Sequence, residues 1–173
     1  MRTIVTLSAM LAFLAYAARA QELPEPGPEH KKLKSYEGVW DAVVHSQGGE
    51  SKGVMTYKMG LRGLWLFESF EGDFGDLKFE GKGATSYDPA KKKYVNVWVD
   101  SMNTSPMFSE GNYDDAGRMV MKGQMPGPGG KTMPVTSIGE DKDKDTKVFR
   151  MMMPGKDGKE MEMLKITYKR RAK

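Results

Sequence analysis

The stretch that decides the fold runs from Lys91 to Asp115 and reads KKKYVNVWVDSMNTSPMFSEGNYDD. Side chains two apart lie on the same face of a β-strand, so residues 94–100 divide into two faces. Three valines form one face. The other is aromatic with polar tips and consists of Tyr94, Asn96, Trp98 and Asp100. This pattern predicts a strand that packs with its valines and lines a cavity with its mixed face.

The same period of two continues in both directions from this strand. About ten strands are predicted, separated by turn signals such as Gly48-Gly49 and Asp88-Pro89-Ala90, at residues 38–46, 52–59, 64–71, 77–87, 93–101, 104–113, 118–125, 131–139, 146–153 and 160–169. Strands that recur every 8–12 residues are typical of a sandwich or barrel. The turns join neighbouring strands directly, so we predict an all-β, antiparallel and mostly up-and-down sandwich or barrel, preceded by a short helix over residues 29–36.

The N-terminal region has the pattern of a secretory signal peptide over residues 1–20. A short basic start precedes the apolar run Ile4 to Ala17, and Ala18-Arg19-Ala20 is a small-x-small cleavage signal. The run is shorter than the roughly 20 apolar residues that span a bilayer. We expect cleavage near Ala20, a secreted or periplasmic protein without a transmembrane segment, a proline-rich linker at 21–28 and a single barrel domain at 29–173.

Composition excludes several classes of function. The chain has no cysteine, and therefore no disulfide, thiolate ligand or thiol nucleophile. Without Arg2 and Arg19 of the signal peptide, 25 basic residues face 23 acidic ones, a net charge of +2. Charges of both signs are interspersed, so no nucleic-acid footprint is predicted.

A family resemblance enters with Gly38-Val39-Trp40, which resembles the opening of lipocalin-like barrels, where that tryptophan closes the barrel floor. The later motifs are Gly63-Leu64-Trp65-Leu66-Phe67-Glu68, Phe79-Glu80-Gly81-Lys82-Gly83, Tyr87-Asp88-Pro89, Trp98-Val99-Asp100-Ser101-Met102, Met153-Pro154-Gly155 with Asp157-Gly158-Lys159, and Ile166-Thr167-Tyr168. Together they resemble the secreted bacterial family known as domain of unknown function 1579, over residues 28–170. The resemblance implies a lipocalin-like antiparallel up-and-down barrel, with Gly38 and Trp40 in structural roles. The family has no established activity, so the resemblance implies a fold and not a function.

Trp40 should be buried near the closed end of such a barrel, against the short helix. It leaves the same strand face as Gly38, whose missing Cβ lets another group approach closely. A buried indole N–H seldom goes unpaired, so a carbonyl or polar side chain should accept its hydrogen bond.

The sequence assigns no catalytic residue, metal ligand or cofactor. Glu68 and Asp100 are candidate acids or bases, against the simpler interpretation that Glu68 pairs with a lysine and Asp88 caps its turn. His30 and His45 cannot form a zinc set, and a haem would need one of them as its axial ligand. Thirteen methionines remain without Met1 and Met10. Two methionines that lie two residues apart on one face of a strand can bind Cu(I), but methionine more often fills gaps in protein cores.

The preferred interpretation is a binding module whose lumen holds a small apolar or amphipathic molecule. Its predicted lumen residues are Trp65, Phe67, Asn96, Trp98, Asp100 and Met102. One alternative is an enzyme on the same barrel that uses Asp100 or Glu68 as acid or base. Another is a structural or interaction protein with a filled core, whose partner, not identified by the sequence, contacts a sheet edge or the loop Pro126–Gly130.

Overall fold

The computed structural model describes residues 23–74, 77–155 and 158–172 of the chain. The predicted signal peptide lies outside the described residues. Among the residues described, no helix has both the length and the apolar character needed to cross a membrane.

Helix α1, Pro28–Lys34, precedes the first strand. Proline suits a helix start because the first backbone N–H groups have no partner within the helix. His30 Nδ1 accepts a hydrogen bond from the backbone N–H of Gly27 at 3.0 Å, which fixes the chain entering the helix. Leu33 points into the protein and is 1% exposed.

Within the described ranges, ten strands follow α1, and each pairs antiparallel with its neighbour in sequence. Their bounds are β1 Gly38–Ser46, β2 Gly49–Gly60, β3 Trp65–Phe74, β4 Leu77–Asp88, β5 Lys93–Asp100, β6 Met107–Tyr113, β7 Met119–Pro126, β8 Thr132–Asp141, β9 Thr146–Pro154 and β10 Glu160–Arg170. β10 also pairs with β1, so the sheet closes into a barrel. The predicted all-β, antiparallel up-and-down barrel with a short N-terminal helix is confirmed.

Local polar contacts fix the turns between strands. Asp88 Oδ1 accepts hydrogen bonds from the backbone N–H groups of Ala90 and Lys91, at 2.9 and 3.1 Å. An aspartate that bonds its own backbone two residues on is a common turn initiator. Asp88 therefore caps its turn, as the simpler of the two sequence interpretations held.

The helix closes one end of the barrel, which we call the closed end. Trp40 is 1% exposed there, and its Nε1 donates to the carbonyl oxygen of Tyr36 at 2.9 Å. The Arg170 guanidinium lies over the indole, 4.0 Å from the ring centre. Gly38 has a φ of +134°, a region that favours glycine, and a Cβ there would lie 3.0 Å from Arg170 Nη1.

Candidate functional site

A cavity of about 610 Å³ occupies the lumen of the barrel. Its walls are mainly apolar side chains that point inward from the strands, with Leu33 and Tyr36 at the closed end. Small-molecule sites are typically about 300–1,000 Å³, apolar, and provided with a few placed polar groups. The lumen is thus not filled by side chains, which removes the premise of the filled-core alternative.

The end of the lumen opposite α1, which we call the mouth, is rich in thioethers. The methionines that border the cavity there are Met102, Met107, Met125, Met151 and Met163. Methionine is flexible and polarizable, so it adapts to ligands of different shape. Met102 is 62% exposed and stands at the rim.

Trp98 lies flat against two glycines of β4. A Cβ on Gly81 would collide with Cζ2 of the indole, and one on Gly83 would lie 2.8 Å from Cε3. Glycine in a strand often marks such a close approach. The indole Nε1 donates to Asp100 Oδ2 at 3.1 Å.

The remaining oxygen of Asp100 secures the loop between β5 and β6. Asp100 Oδ1 accepts from the backbone N–H of Met102 and from Asn103 Nδ2, both at 2.9 Å. Both carboxylate oxygens therefore have donors within the protein. Asp100 holds the mouth in shape.

Near the closed end, Glu68 forms a polar cluster with β4 and β5. Its Oε1 accepts from Thr85 Oγ1 at 2.5 Å and from Asn96 Nδ2 at 3.2 Å, and Asn96 also donates to Thr85 at 2.8 Å. Burial raises the pKa of Glu68, and the hydrogen bond from Thr85, the charge of Lys147 and the hydrogen bond from Asn96 only partly oppose this.

Lys147 enters the lumen from β9 and is 8% exposed. Its Nζ lies 3.5 Å from the ring centre of Tyr36, 4.2 Å from that of Trp40 and 4.6 Å from that of Tyr57. It makes no hydrogen bond or ion pair with any described residue. Aromatic faces attract a cation but leave its three N–H donors without acceptors.

The environment of Lys147 lowers its pKa to about 7. Burial is the main cause, because it disfavours the charged amine. The positive charge of Arg170 acts in the same direction, while Asp141 and Glu68 oppose it. Lys147 is therefore partly protonated near neutral pH.

Tyrosine hydroxyls surround the same space. Those of Tyr36 and Tyr113 bond each other at 2.9 Å, whereas those of Tyr57 and Tyr168 bond no described residue. Every fully buried polar side-chain atom of the described residues has a hydrogen-bond partner. The hydroxyls of Tyr57 and Tyr168 have none among those residues, so they are not fully buried and border the open cavity. Burial raises the pKa of both, which keeps them protonated as donors.

Four of the six predicted lumen residues, Asn96, Trp98, Asp100 and Met102, border the cavity. Their part in binding stays a prediction. Placing Trp65 and Phe67 in the lumen was wrong: Leu66, Glu68 and Phe70 border it, while Phe67 is 40% exposed and packs against Gly60. Both phases of β3 carry large apolar residues, so the period of two did not indicate which phase faces inward.

Sequence reasoning missed Lys147, Tyr57 and Tyr168. A signal existed for Lys147, because it shares its strand phase with the apolar Phe149 and Met151. A lysine on an apolar phase is unusual, since lysines are rarely buried without a partner. For the tyrosines no comparable signal existed, because aromatic residues occur on both faces of strands.

Glu68 and Asp100, the two carboxylates of the acid–base alternative, both border the cavity but share no hydrogen-bond partner among the described residues. Glu68 bonds Thr85 and Asn96, and Asp100 bonds Trp98 and the loop at the mouth. Within the described ranges, no three histidine, aspartate or glutamate side chains group closely enough to hold a metal ion. The arrangement offers an apolar chamber with hydrogen-bond donors at one end.

Comparison with known proteins identifies a family for this chain. A search of the curated proteins found no match. Among solved structures, the chain is similar to a protein described as a de novo designed fluorescence-activating β-barrel. The two are 15% identical with a TM-score of 0.44, and the match covers 80% of this chain and 96% of the designed one. The profile described as "Protein of unknown function (DUF1579)" matches residues 25–170, nearly the whole barrel and its helix, so the chain belongs to the DUF1579 family.

Proposed function

We propose that this protein is a binding module that holds one small apolar or amphipathic molecule in its lumen. The observation that carries the proposal is the apolar cavity of about 610 Å³ inside a closed barrel. An eight-to-ten-stranded barrel is wide enough to hold one small ligand. Because β1 pairs with β10, the described sheet offers no free edge for a partner strand.

The direct test blocks the cavity from one strand. Ser137 borders the cavity from β8, and its neighbour Thr136 points to the opposite face. We expect Ser137→Phe to abolish the fluorescence gain of the uncharged probe N-phenyl-1-naphthylamine, because the ring occupies ligand space. Thr136→Phe is the matched control and should bind as the parent does. Equal binding by both variants, or no binding by the parent, would overturn the proposal.

A retained ligand is the second support to seek. Native mass spectrometry of the protein from its own cells should show a mass above that of the polypeptide, lost on denaturation. The excess mass would then identify the molecule.

We also propose that the chain is exported and cleaved near Ala20, on the pattern of residues 1–20. The test is N-terminal sequencing of the protein recovered outside the cytoplasm. A first residue of Gln21 is expected, and recovery of the uncleaved chain from the cytoplasm would contradict export.

A further inference from the structure

The closed end of the lumen presents three hydrogen-bond donors to the cavity: Lys147 Nζ and the hydroxyls of Tyr57 and Tyr168. None has an acceptor among the described residues, and all three side chains border the cavity. Tyr57 also lies beneath Lys147, with 4.6 Å between Nζ and its ring centre. Donors that face a cavity and have no acceptor in the protein can bond water or a ligand, so a ligand with acceptor atoms would satisfy them.

We propose that the lumen takes an amphiphile with a carboxylate head, which Lys147 and the hydroxyls of Tyr57 and Tyr168 hold at the closed end. Its apolar chain runs toward the methionines of the mouth. This inference rests on the proposed binding function and names the ligand class.

The dimensions of the cavity suit such a molecule. Lys147 at the closed end and Met151 at the mouth both border the cavity from β9. They are four positions apart along the strand, which is about 13 Å at the usual rise per residue. The walls along that length are mainly apolar, so they accept an alkyl chain, and the described residues that border the cavity offer an anion no cation other than Lys147. The head is therefore directed to the closed end.

The ammonium group of Lys147 itself favours an anion there over a cation, and the charges around it are mixed in sign. Arg170 from β10 adds positive charge, while Asp141 from β8 and Glu68 from β3 are the acidic groups. Burial raises the pKa of Glu68, so at a given pH a larger fraction of Glu68 is neutral than of an ordinary glutamate. Tyr36, Trp40 and Tyr57 supply only ring faces to the ammonium, which leaves its N–H groups for the ligand.

The test compares three probes with the same ten-carbon chain: decanoate, 1-decanol and decylammonium. Each displaces N-phenyl-1-naphthylamine from the parent protein, and the affinities are compared at pH 6.5 and low ionic strength. We expect decanoate to bind about tenfold or more tighter than decanol, since a hydrogen bond to a charged group is strong. Decylammonium should bind weakest.

Two variants test whether Lys147 and the hydroxyl of Tyr168 cause the preference for decanoate over decanol. Lys147→Met should remove the preference for decanoate but keep decanol binding, and Lys169→Met, which removes an exposed lysine of β10, should change neither. Tyr168→Phe deletes a single oxygen, so it remains informative if Lys147→Met does not fold. It should weaken decanoate by a few-fold and spare decanol.

The pH dependence gives an independent readout. Decanoate binds the protonated form of Lys147, whose pKa is about 7 in the free protein, so its affinity should fall between pH 6.5 and pH 8.5. Decanol should bind equally across this range.

The outcomes separate the two proposals. If the parent does not bind the probe in its lumen, the binding function itself fails and the inference fails with it. If the probe binds but neither decanoate nor decanol displaces it, the inference alone fails. If both displace it equally at every pH, or Lys147→Met keeps the preference, the binding function stands and the head-group assignment is overturned.

Discussion

The closed end and the mouth of this barrel differ in chemistry and in packing. At the closed end, aromatic rings enclose Lys147, and Trp40 is 1% exposed. At the mouth, flexible thioethers border the cavity, and Met102 is 62% exposed. Holding a polar group in a fixed place requires rigid neighbours, whereas admitting apolar shapes requires adaptable ones. The comparison teaches that rigid packing and the groups proposed to hold a head group lie at one end, and adaptable side chains at the other.

Trp40→Ala is the strongest test of the closed end. The indole is buried, bonds the Tyr36 carbonyl and lies under Arg170, and removing such a ring costs about 3–5 kcal/mol of unfolding free energy. Urea denaturation measures the loss. Trp98→Ala at the mouth should cost less, because Trp98 packs beside the open cavity. Should the two variants lose equal stability, the two ends would not differ as described.

If the Trp40→Ala protein is insoluble, Trp40→Phe provides the measurement. It keeps a ring and removes the N–H, so we expect a smaller loss that remains visible in urea. An unfolding midpoint equal to that of the parent would show that the indole contributes nothing at the closed end.

Lys147→Met should change how stability depends on pH. The pKa of Lys147 is about 7 in the folded state and near 10.5 when unfolded, so between these values the unfolded chain binds more protons. Stability of the parent should therefore rise from pH 7 to pH 9, by at most about 1.4 kcal/mol per pH unit. Urea titrations of ligand-free protein measure this slope. Lys147→Met should flatten it, and Lys169→Met, the exposed control, should not. A parent whose stability falls over this range would contradict the burial of Lys147.

Gly81→Ala tests how Trp98 packs against β4 near the mouth. The added methyl group collides with the indole, and overpacking of this kind costs about 1–3 kcal/mol. The indole must tilt into the cavity, so the emission of Trp98 should shift and probe affinity should fall. Lys82→Ala, on the outer face of the same strand, is the control. An unchanged affinity in Gly81→Ala would show that Trp98 does not border the ligand.

Met151→Leu should have a smaller effect than Trp40→Ala, Lys147→Met or Gly81→Ala. It nearly conserves volume at an adaptable wall, so its cost should stay below about 1.5 kcal/mol, with little change in probe affinity. Thermal unfolding and probe titration both check it. A loss as large as that of Trp40→Ala would mean that the mouth is packed as rigidly as the closed end.

The fold was predictable because each strand carries its own local pattern. The valines of β5 alternate with aromatic and polar residues, and glycine or aspartate turns separate most neighbouring strands, so predicted and observed bounds differ by three residues or fewer. Asn96, Trp98 and Asp100 were predicted as lumen residues because one face of β5 is plainly apolar and the other is polar-tipped.

The assignment failed on β3 for a physical reason. Each of the two faces of β3 carries large apolar residues, which are Trp65 and Phe67 on one face and Leu66 and Phe70 on the other. Either face could therefore be the buried one. Pairing decides between them: Glu68 lies opposite Tyr57 of β2 and Gly83 of β4 in the inward row. A slip by one residue would reverse every side chain of the strand.

The sequence by itself determined the class of this protein: an antiparallel barrel with a short helix, a buried Trp40, and a mixed face on β5. The strands, the turns and the mixed face follow from period and turn chemistry, which act over a few positions of the chain, whereas the barrel and the burial of Trp40 were implied by the family resemblance. Only the tertiary structure decided that Lys147 and the tyrosines meet at the closed end, since β2, β9 and β10 bring together residues up to 111 positions apart. Convergence of donors on a cavity depends on strand register and on closure of the sheet, and neither is encoded in a local pattern.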